Sequence, residues 1–256
     1  MKIILIGAIF IIIFILICII YTNKHLPVVV IAHNNLHFVK NFIEQLRKYP
    51  NPIIIMDNKS DYEPLLEYYK EIQYELGSKL EIRYLNENYG SAVFIRLKDD
   101  LPKVYILSDP DLKLNVDMPY NFSEIMYNLS NKYKAFKVGL ALNISDKDKF
   151  LTCSNYTGGK SIYDWEIKYW EDRIPDPEYE LYRAKTDTTF CLINYNYAEE
   201  NQIRIAGNFT AKHLPWYKGY LEKSMPSDEL KQWKTNNNSS SILISCIPPS
   251  AKVKYT

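Results

Sequence analysis

Residues 28–60 read VVVIAHNNLHFVKNFIEQLRKYPNPIIIMDNKS, and this stretch decides the fold. It begins with VVVIA, a continuous apolar and mostly β-branched run that is typical of a strand covered on both faces. From 36 to 49 the apolar residues recur at helical spacing, until Pro50 ends the helix. A second apolar run, IIIM, occupies 53–56. Strand, helix and strand in this order predict a right-handed crossover between two parallel strands.

The same alternation continues as far as a fourth strand. A helix is predicted over 62–75 and a strand over 80–85, followed by a short helix over 92–97 and a strand over 103–107. This order is typical of a Rossmann-like α/β fold, in which helices flank a mostly parallel sheet. The carboxyl ends of its parallel strands meet at one edge of the sheet, where such folds bind ligands.

The pattern loosens after Asp111, and the later elements are predicted from single runs. They are helices over 121–133 and 164–172, strands over 135–144, 190–195, 203–206 and 242–247, and a polar loop over 235–241.

Length and composition indicate a folded protein. The chain has 256 residues, of which 47% are hydrophobic, and a formal net charge of +1. It is too apolar to be disordered, and its charge gives no electrostatic reason to expect a nucleic-acid partner. Residues 27–256 are enough for one α/β domain with a full core, so we expect a single catalytic domain there.

The amino-terminal stretch 3–21, IILIGAIFIIIFILICIIY, contains no charged residue. A helix needs about 20 apolar residues to cross a bilayer, so residues 1–22 are predicted to be a transmembrane signal-anchor. A cleaved signal peptide is the alternative, but its apolar region is about 7–15 residues long and precedes a small-residue cleavage site. Lys2 lies before the span and Lys24 after it, so the charges leave the orientation of this single-pass membrane protein open.

The cysteines show no metal-binding pattern. Cys18 lies in the predicted span, and Cys153, Cys191 and Cys246 are isolated and odd in number. They are interpreted as small buried apolar side chains, and they leave the redox compartment open.

Two aspartates, Asp109 and Asp111, follow the fourth predicted strand. In extended backbone, residues i and i+2 point to the same side about 6.6 Å apart, and Pro110 restricts the backbone between them. Like charges at this spacing need water or a cation between them, and carboxylate oxygens suit Mg²⁺ or Mn²⁺. The pair therefore predicts a site for a metal and a diphosphate, with an ordinary Asp-Pro turn as the alternative.

Other polar residues follow the second and third predicted strands. Asp57 is a carboxylate that can accept hydrogen bonds from a base or a ribose, and Gly90, close to Asn88, would allow close approach of the backbone to a ligand. Turn chemistry is the alternative explanation for each of them. Three polar strand ends at one sheet edge favour a ligand site over three independent turns.

Together these segments resemble the GT-A glycosyltransferases, in particular family-2-like enzymes and related polysaccharide-synthesis transferases. The resemblance is clear over 28–112 and looser beyond. It is carried, in this order, by VVIAHNN (29–35), IIIMDNKS (53–60), NENYGS (86–91) and YILSDPDL (105–112).

The resemblance implies a nucleotide-diphosphate sugar as donor, with a UDP-sugar favoured. Ala32 and His33 match the segment that lines the nucleotide, and Asp57 matches the acid that contacts its uracil or ribose side. Asp109 and Asp111 match the metal-binding motif, in which the second acid usually contacts the metal and the first faces the ribose or a metal-bound water.

A third metal ligand is predicted far downstream, at His213. The segment IRIAGNFTAKHLPWY, 203–217, resembles a closing motif of polysaccharide-type transferases in which a histidine reaches the metal or the diphosphate. Imidazole suits Mn²⁺ better than Mg²⁺, which favours manganese as the cofactor. The alternative is a core histidine packed beside Trp216.

A general base for the acceptor hydroxyl is predicted among several acids. The segment YDWEIKYWEDRI, 163–174, offers Asp164 and Glu166, and these precede the aromatic pair Tyr169-Trp170, which can stack on a sugar. Glu171 and Asp172 compete with them. Asp187, just before a predicted strand, is a further candidate that Thr188 and Thr189 are placed to hold by hydrogen bonds. A solvated helix face or a turn cap is the alternative in each case.

Three classes of function remain open at this point. The leading one is a metal-dependent, inverting, hexosyltransferase-like enzyme that moves a sugar to a hydroxyl of a glycan, protein or lipid. A sugar nucleotidyltransferase is disfavoured, because such enzymes carry a glycine-rich loop after the first strand and this chain has AHNNLHF there. The third class is a non-catalytic, membrane-tethered domain that binds a nucleotide or a glycan.

Overall fold

The computed structural model describes residues 25–153, 156–235 and 246. The strands are β1 (Val28–Ala32), β2 (Ile53–Asp57), β3 (Leu80–Tyr84), β4 (Val104–Ser108), β5 (Leu112–Leu114), β6 (Lys137–Leu140), β7 (Arg173–Ile174), β8 (Leu181–Arg183), β9 (Cys191–Asn194), β10 (Gln202–Ile205) and β11 (Ala211–His213). The α-helices are α1 (Leu36–Leu46), α2 (Glu63–Leu76), α3 (Val93–Arg96), α4 (Phe122–Tyr133), α5 (Ile162–Glu166), α6 (Tyr220–Ser224) and α7 (Ser227–Thr235).

Nine of these strands form one sheet, in the order β3-β2-β1-β4-β9-β6-β10-β8-β7. Within it β9 runs antiparallel to both of its neighbours, and so does β8. The remaining pairs are parallel, so seven of the nine strands run in one direction. The predicted α/β architecture, a large and mostly parallel sheet flanked by helices, is confirmed at this level.

The strands β1 and β2 and the helix α1 between them form where the apolar pattern of the sequence predicts them. Every residue of β1 and of β2 is buried, as continuous apolar β-branched runs require. Between them α1 buries the side chains that recur at helical spacing, namely Phe38, Val39, Phe42, Ile43 and Leu46. This packing brings the loops that follow β1, β2 and β4 to the same edge of the sheet.

The second half departs from prediction in its short elements. The strand predicted over 135–144 is limited to β6, and the helix predicted over 164–172 is mostly replaced by α5 and a 3₁₀ turn, Ile167–Trp170. The strands β5, β7, β8 and β11 have two or three residues each, which is too short to leave a periodic pattern in the sequence. The predicted strand over 242–247 lies outside the described residues, apart from Cys246.

The interpretation of the cysteines is wrong for two of them. Cys153 and Cys246 form a disulfide that joins positions 93 residues apart, whereas Cys191 is free and buried. Neither position belongs to a spacing motif, so nothing in the sequence pairs them.

We expect non-reducing peptide mapping to link Cys153 to Cys246 and to leave Cys191 unlinked. Each of the variants Cys153→Ser and Cys246→Ser should lose about 2–3 kcal/mol of unfolding free energy, because the bond constrains the unfolded chain. The double variant should be no less stable than either single one. An additive loss in the double variant, measured by urea unfolding, would mean that the two sulfurs act separately.

The predicted membrane anchor, residues 1–22, lies outside the described residues. Within 25–153, 156–235 and 246 the structure has no helix that is both long and apolar enough to cross a bilayer.

The helix α7 contacts the loops that follow β1 and β2. The carboxylate of Glu229 accepts a hydrogen bond from the backbone N–H of His37 in the first turn of α1, at 2.7 Å. Tyr62 donates its hydroxyl to Asp228 at 3.0 Å. Burial raises the pKa of Glu229 to about 7, although the His37 amide acts to lower it.

The raised pKa of Glu229 predicts a pH-dependent stability. The folded chain holds this proton more tightly than the unfolded chain, so the contribution of Glu229 to stability falls as the pH rises from about 4.3 to 7. Relative to wild type, Glu229→Gln should therefore gain on the order of 1 kcal/mol between pH 5 and pH 8. Urea unfolding at both pH values measures this, with the exposed Glu67→Gln as the control. Parallel pH profiles for wild type and Glu229→Gln would contradict the prediction.

Candidate functional site

A cavity of about 540 Å³ opens at the edge of the sheet where the parallel strands end. This volume falls in the range of small-molecule sites, about 300–1,000 Å³. Its walls come from the segments that follow β1, β2, β3 and β4, from α5 with the 3₁₀ turn after it, from the segment before β9, and from β10 and the chain that follows it. Of the predicted site residues it is lined by His33, Asn88, Gly90, Asp109, Asp111, Glu166, Asp187 and His213.

Asp111 and His213 are brought together by two three-residue strands. Asp111 directly precedes β5, which pairs antiparallel with β11, so that Leu112 lies opposite His213. The backbone N–H of Leu214 donates to the carbonyl oxygen of Asp111 at 2.9 Å, and His213 Nε2 lies 3.3 Å from Asp111 Oδ2. The ring of His213 also packs on Trp216, with centroids 4.9 Å apart. His213 is thus both a packed histidine and a cavity residue.

Asp109 faces a different partner. Its Oδ2 accepts a short hydrogen bond from the hydroxyl of Thr188, and its backbone N–H donates to the carbonyl oxygen of Thr188 at 3.1 Å. Burial and the neighbouring charge of Asp111 raise the pKa of Asp109 to about 7. Burial acts to lower the pKa of His213, but the charge and hydrogen bond of Asp111 together with the charges of Asp109 and Glu166 outweigh it, and the pKa is raised. The three side chains therefore interact electrostatically.

This cluster offers two groups that fit a divalent cation. Asp111 Oδ1 and His213 Nδ1 are buried without a hydrogen-bond partner. Carboxylate and imidazole together suit Mn²⁺. Across the described residues no group of three or more His, Cys, Asp and Glu side chains has the geometry of a closed metal site, and Asp109 is turned towards Thr188. Asp111 and His213 are therefore the two residues of this cluster whose chemistry fits a divalent cation.

The predicted nucleotide-side residues divide into two groups. His33, Asn88 and Gly90 line the cavity, and Gly90 has φ +56°, a left-handed conformation that favours glycine. Ala32 is fully buried in β1 and Asp57 is buried at the end of β2, and neither lines the cavity.

Asp57 organises the loop after β2. Its carboxylate accepts hydrogen bonds from the backbone and hydroxyl of Ser60, at 2.8 and 2.6 Å, and from Tyr69 at 2.9 Å. Its neighbour Asn58 lines the cavity, donates to the carbonyl oxygen of Gly90 at 3.1 Å and accepts from the backbone N–H of Tyr89 at 3.3 Å. The asparagine thus holds the glycine loop beside the cavity.

Glu166 lies in the cavity wall, but it is committed to an ion pair. Its Oε1 accepts a short hydrogen bond from Arg204 Nη1, and the two side chains are 2% and 4% exposed. Burial raises the pKa of Glu166, and the charge of Arg204 offsets part of that rise. The guanidinium also stacks on Tyr169, 4.1 Å from the ring centroid. Since its carboxylate is already paired, Glu166 is a poor candidate for the base.

Of the other predicted candidates for the base, which are Asp164, Glu171, Asp172 and Asp187, only Asp187 lines the cavity. It is exposed and lies between Thr186 and Thr188, which also line the cavity. Thr188 donates its hydroxyl to Asp109, rather than holding Asp187 as predicted. Asp164 lies outside the cavity and accepts a hydrogen bond from Ser161, the N-cap of α5, at 2.6 Å. Glu171 and Asp172 are likewise absent from the cavity wall.

The aromatic wall also differs from prediction. Tyr169 lines the cavity, but Trp170 packs on Tyr182 with ring centroids 5.3 Å apart, and its place is taken by Trp165 and Tyr156. Sequence reasoning missed Asn58, Lys185 and Arg204 as well. Only Arg204 left a signal, a charge inside the apolar run IRIA.

No protein-family model matches this chain, and no curated protein sequence matches it either. Seventy-two chains of solved structures do match. Among them is GalNAc-T7, solved with UDP, GalNAc and Mn²⁺, which is 12% identical with a TM-score of 0.51, over 77% of this chain and 45% of that chain.

Two further structures match with lower TM-scores. The mannosyltransferase PcManGT of Pyrobaculum calidifontis, solved with GDP-Man and Mn²⁺, is 14% identical over 47% of this chain and 36% of that one, with a TM-score of 0.36. HddC of Yersinia pseudotuberculosis is 8% identical over 78% of this chain and 97% of that one, with a TM-score of 0.42. This chain thus spans less than half of the mannosyltransferase and of GalNAc-T7. The resemblance to GT-A glycosyltransferases is confirmed for the fold, through GalNAc-T7, and its family-2-like character stays a prediction.

Proposed function

We propose that the cavity binds a nucleotide-diphosphate sugar with Mn²⁺ or Mg²⁺, and transfers the sugar to a hydroxyl acceptor with inversion. The observation that carries this proposal is the contact of Asp111 with His213, beside Asp109, in one cavity at the carboxyl ends of parallel strands. The proposal includes no nucleic-acid partner. The ligands of the GalNAc-T7 structure, UDP, GalNAc and Mn²⁺, are of the proposed classes.

The charges of the cluster support a cation. Asp109 and Asp111 line the same cavity, and the charge of Asp111 acts to raise the pKa of Asp109. A bound cation would relieve this repulsion between the two carboxylates. Asp111 and His213 would hold the metal, which when bound supplies neutralisation of the diphosphate charge. The polar loops with His33, Asn58 and Gly90 would contact the nucleotide.

Asp187 is the proposed general base. It is exposed and faces the cavity, and neither a lysine nor an arginine side chain forms an ion pair with it among the described residues. It would accept the proton of the acceptor hydroxyl while the acceptor oxygen bonds to the anomeric carbon and the bond from that carbon to the diphosphate breaks. Trp165 and Tyr169 also line the cavity, and we propose that they contact the sugar ring.

Calorimetry with UDP, with and without Mn²⁺, tests the binding part of the proposal. Metal-dependent UDP binding is expected, and the absence of nucleotide binding under every condition would favour a non-catalytic domain. A screen of nucleotide-diphosphate sugars for Mn²⁺-dependent hydrolysis then identifies the donor. Pyrophosphate release from a sugar phosphate and a nucleoside triphosphate would instead indicate a nucleotidyltransferase.

We infer further that residues 3–21 anchor the domain in a membrane and that the domain faces an oxidising compartment. The uncharged run supports the anchor, and the Cys153–Cys246 disulfide supports the orientation, because such bonds persist where the medium is oxidising. Protease treatment of sealed vesicles from expressing cells tests this. Digestion of the domain in vesicles whose cytosolic face is outward would contradict the orientation.

A further inference from the structure

The segment 185–187, which precedes Thr188, lies on the face of the sheet formed by β6 and β10. These strands pair in parallel, with Gln202 opposite Lys137 and Arg204 opposite Gly139. Positions two apart in a strand point to the same face, so these four residues lie together under the segment. We call Lys137, Gly139, Gln202 and Arg204 the loop seat.

The loop seat binds the backbone of the segment. Lys137 Nζ lies 3.3 Å from the carbonyl oxygens of both Thr186 and Asp187, and Arg204 Nε donates to that of Lys185 at 2.9 Å. Three consecutive carbonyl groups are therefore held by two buried cations. Gln202 adds a fourth bond, since its Oε1 accepts from the backbone N–H of Thr186 at 2.8 Å.

Gly139 lets the segment come this close. A Cβ at this position would lie 2.4 Å from Cγ2 and 2.9 Å from Cβ of Thr186, well inside van der Waals contact. The side chain of Thr186 is β-branched and its hydroxyl lies 3.4 Å from Gln202, so it has little freedom to yield. The absence of a side chain at Gly139 thus leaves the space that the side chain of Thr186 occupies.

Lys137 is an unusual residue for the middle of a sheet. It is 6% exposed and has no carboxylate partner among the ion pairs of the described residues; its other contact is the ring of Phe94, at 5.0 Å. Burying an ammonium group costs several kcal/mol unless it is well solvated by protein dipoles. An apolar residue would fill the position at lower cost, which points to a role for the charge.

The segment 185–187 also forms part of the cavity wall. With its carbonyl groups bound to the loop seat, the segment presents Asp187 to the cavity and places Thr188 against Asp109. Both the proposed base and the orientation of one acid of the Asp-x-Asp pair therefore depend on the same backbone.

We propose that Lys137 and Gly139 are positioning residues, which fix the 185–187 segment so that Asp187 reaches the acceptor hydroxyl. The catalytic part of this inference rests on the proposed function. The structural part does not, because it concerns only how tightly the segment is held.

Amide hydrogen exchange tests the structural part on the full chain. In Lys137→Met the amides of Thr186 and Asp109 should exchange about tenfold faster, because the segment opens more easily. Gly139→Ala should act in the same direction by displacing Thr186. Lys103→Met, at an exposed lysine just before β4, is the matched control and should leave both amides unchanged.

Steady-state kinetics test the catalytic part, with the donor identified by the hydrolysis screen. Lys137→Met should lower kcat about 100-fold and change the KM for the donor less than about twofold, because the base is misplaced while Asp111 and His213, the proposed metal ligands, are positioned by β5 and β11. Lys137→Gln keeps donors for the carbonyl groups and should recover kcat to within about tenfold of wild type.

Each outcome decides one part. Unchanged exchange in both Lys137→Met and Gly139→Ala would overturn the loop seat, and faster exchange with unaltered kcat would overturn its positioning role. If Lys137→Met fails to fold, Gly139→Ala carries the same measurements. A wild type without transfer activity on any nucleotide sugar would contradict the proposed function and the positioning of a base, while hydrogen exchange would still decide the loop seat.

Discussion

Replacing Asp111 with asparagine is expected to lower Mn²⁺-dependent turnover of the nucleotide sugar about 1,000-fold, which corresponds to the several kcal/mol that a metal contributes to charge stabilisation. One oxygen of Asp111 lies beside His213 Nε2 and the other has no hydrogen-bond partner. Asparagine keeps the shape of the side chain and its contact with the histidine but removes the charge. The substitution is therefore expected to weaken the proposed metal binding and to leave the packing in place.

The fold of this variant is checked before its rate is interpreted. Circular dichroism and urea unfolding should match wild type, since the pairing of β5 with β11 uses only backbone groups near Asp111. Asp117→Asn, an isosteric change at an exposed position outside the cavity, is the control and should keep full turnover. Calorimetry should show that the Mn²⁺-dependent part of UDP binding is lost only in Asp111→Asn. Near-normal turnover by Asp111→Asn would reject its role in holding the metal.

The parallel half of the fold was predictable because its signals are local and repeated. In β1, α1 and β2 the periodicity of the sequence coincides with burial, and the handedness of the crossover then sets the sheet edge. That edge holds Asp109, Asp111 and Gly90, all of which line the cavity. This edge is predictable from the sequence because right-handed crossovers place the carboxyl ends of parallel strands on the same side of the sheet.

The rest of the site depends on contacts between residues far apart in the chain. The ion pair between Glu166 and Arg204 joins positions 38 residues apart, and the bond between Thr188 and Asp109 joins positions 79 apart. Neither leaves a periodic pattern, so Glu166 was indistinguishable from a free base in the sequence. For the same reason the sequence predicts a hydrogen bond from Thr188 to its neighbour Asp187 rather than to Asp109.

The position of Asp57 shows a different kind of failure. A carboxylate at the end of a buried strand was expected to face the nucleotide, and its place at the sheet edge agrees with that expectation. Ser60 and Tyr69 satisfy its oxygens inside the fold, however, and it is 1% exposed. The neighbouring Asn58 lines the cavity instead, one position along the same loop. Position in the sheet was predictable from sequence, but hydrogen-bond partners were not.

Removal of the Arg204 charge is expected to destabilise the protein by about 3–5 kcal/mol, the cost of leaving a buried charge without its partner. In Arg204→Met the carboxylate of Glu166, 2% exposed, would keep its burial and lose its ion pair with Arg204. Methionine fills a similar volume, so the loss does not come mainly from a cavity. Urea unfolding at pH 8 measures the difference from wild type.

The pH dependence and a double variant identify the cause of this loss. Burial raises the pKa of Glu166 above that in the unfolded chain, and the change at Arg204 removes the charge that offsets the rise, so the loss should grow as the pH increases and shrink towards pH 5. In the double variant Arg204→Met with Glu166→Gln, neither side chain of the former ion pair carries a charge, so most of the lost stability should return. A double variant as unstable as Arg204→Met would locate the loss elsewhere, in the bond from Arg204 to the carbonyl oxygen of Lys185 or in its stacking on Tyr169. Recovery would instead show that Glu166 balances the charge of Arg204, which supports Asp187 rather than Glu166 as the proposed base.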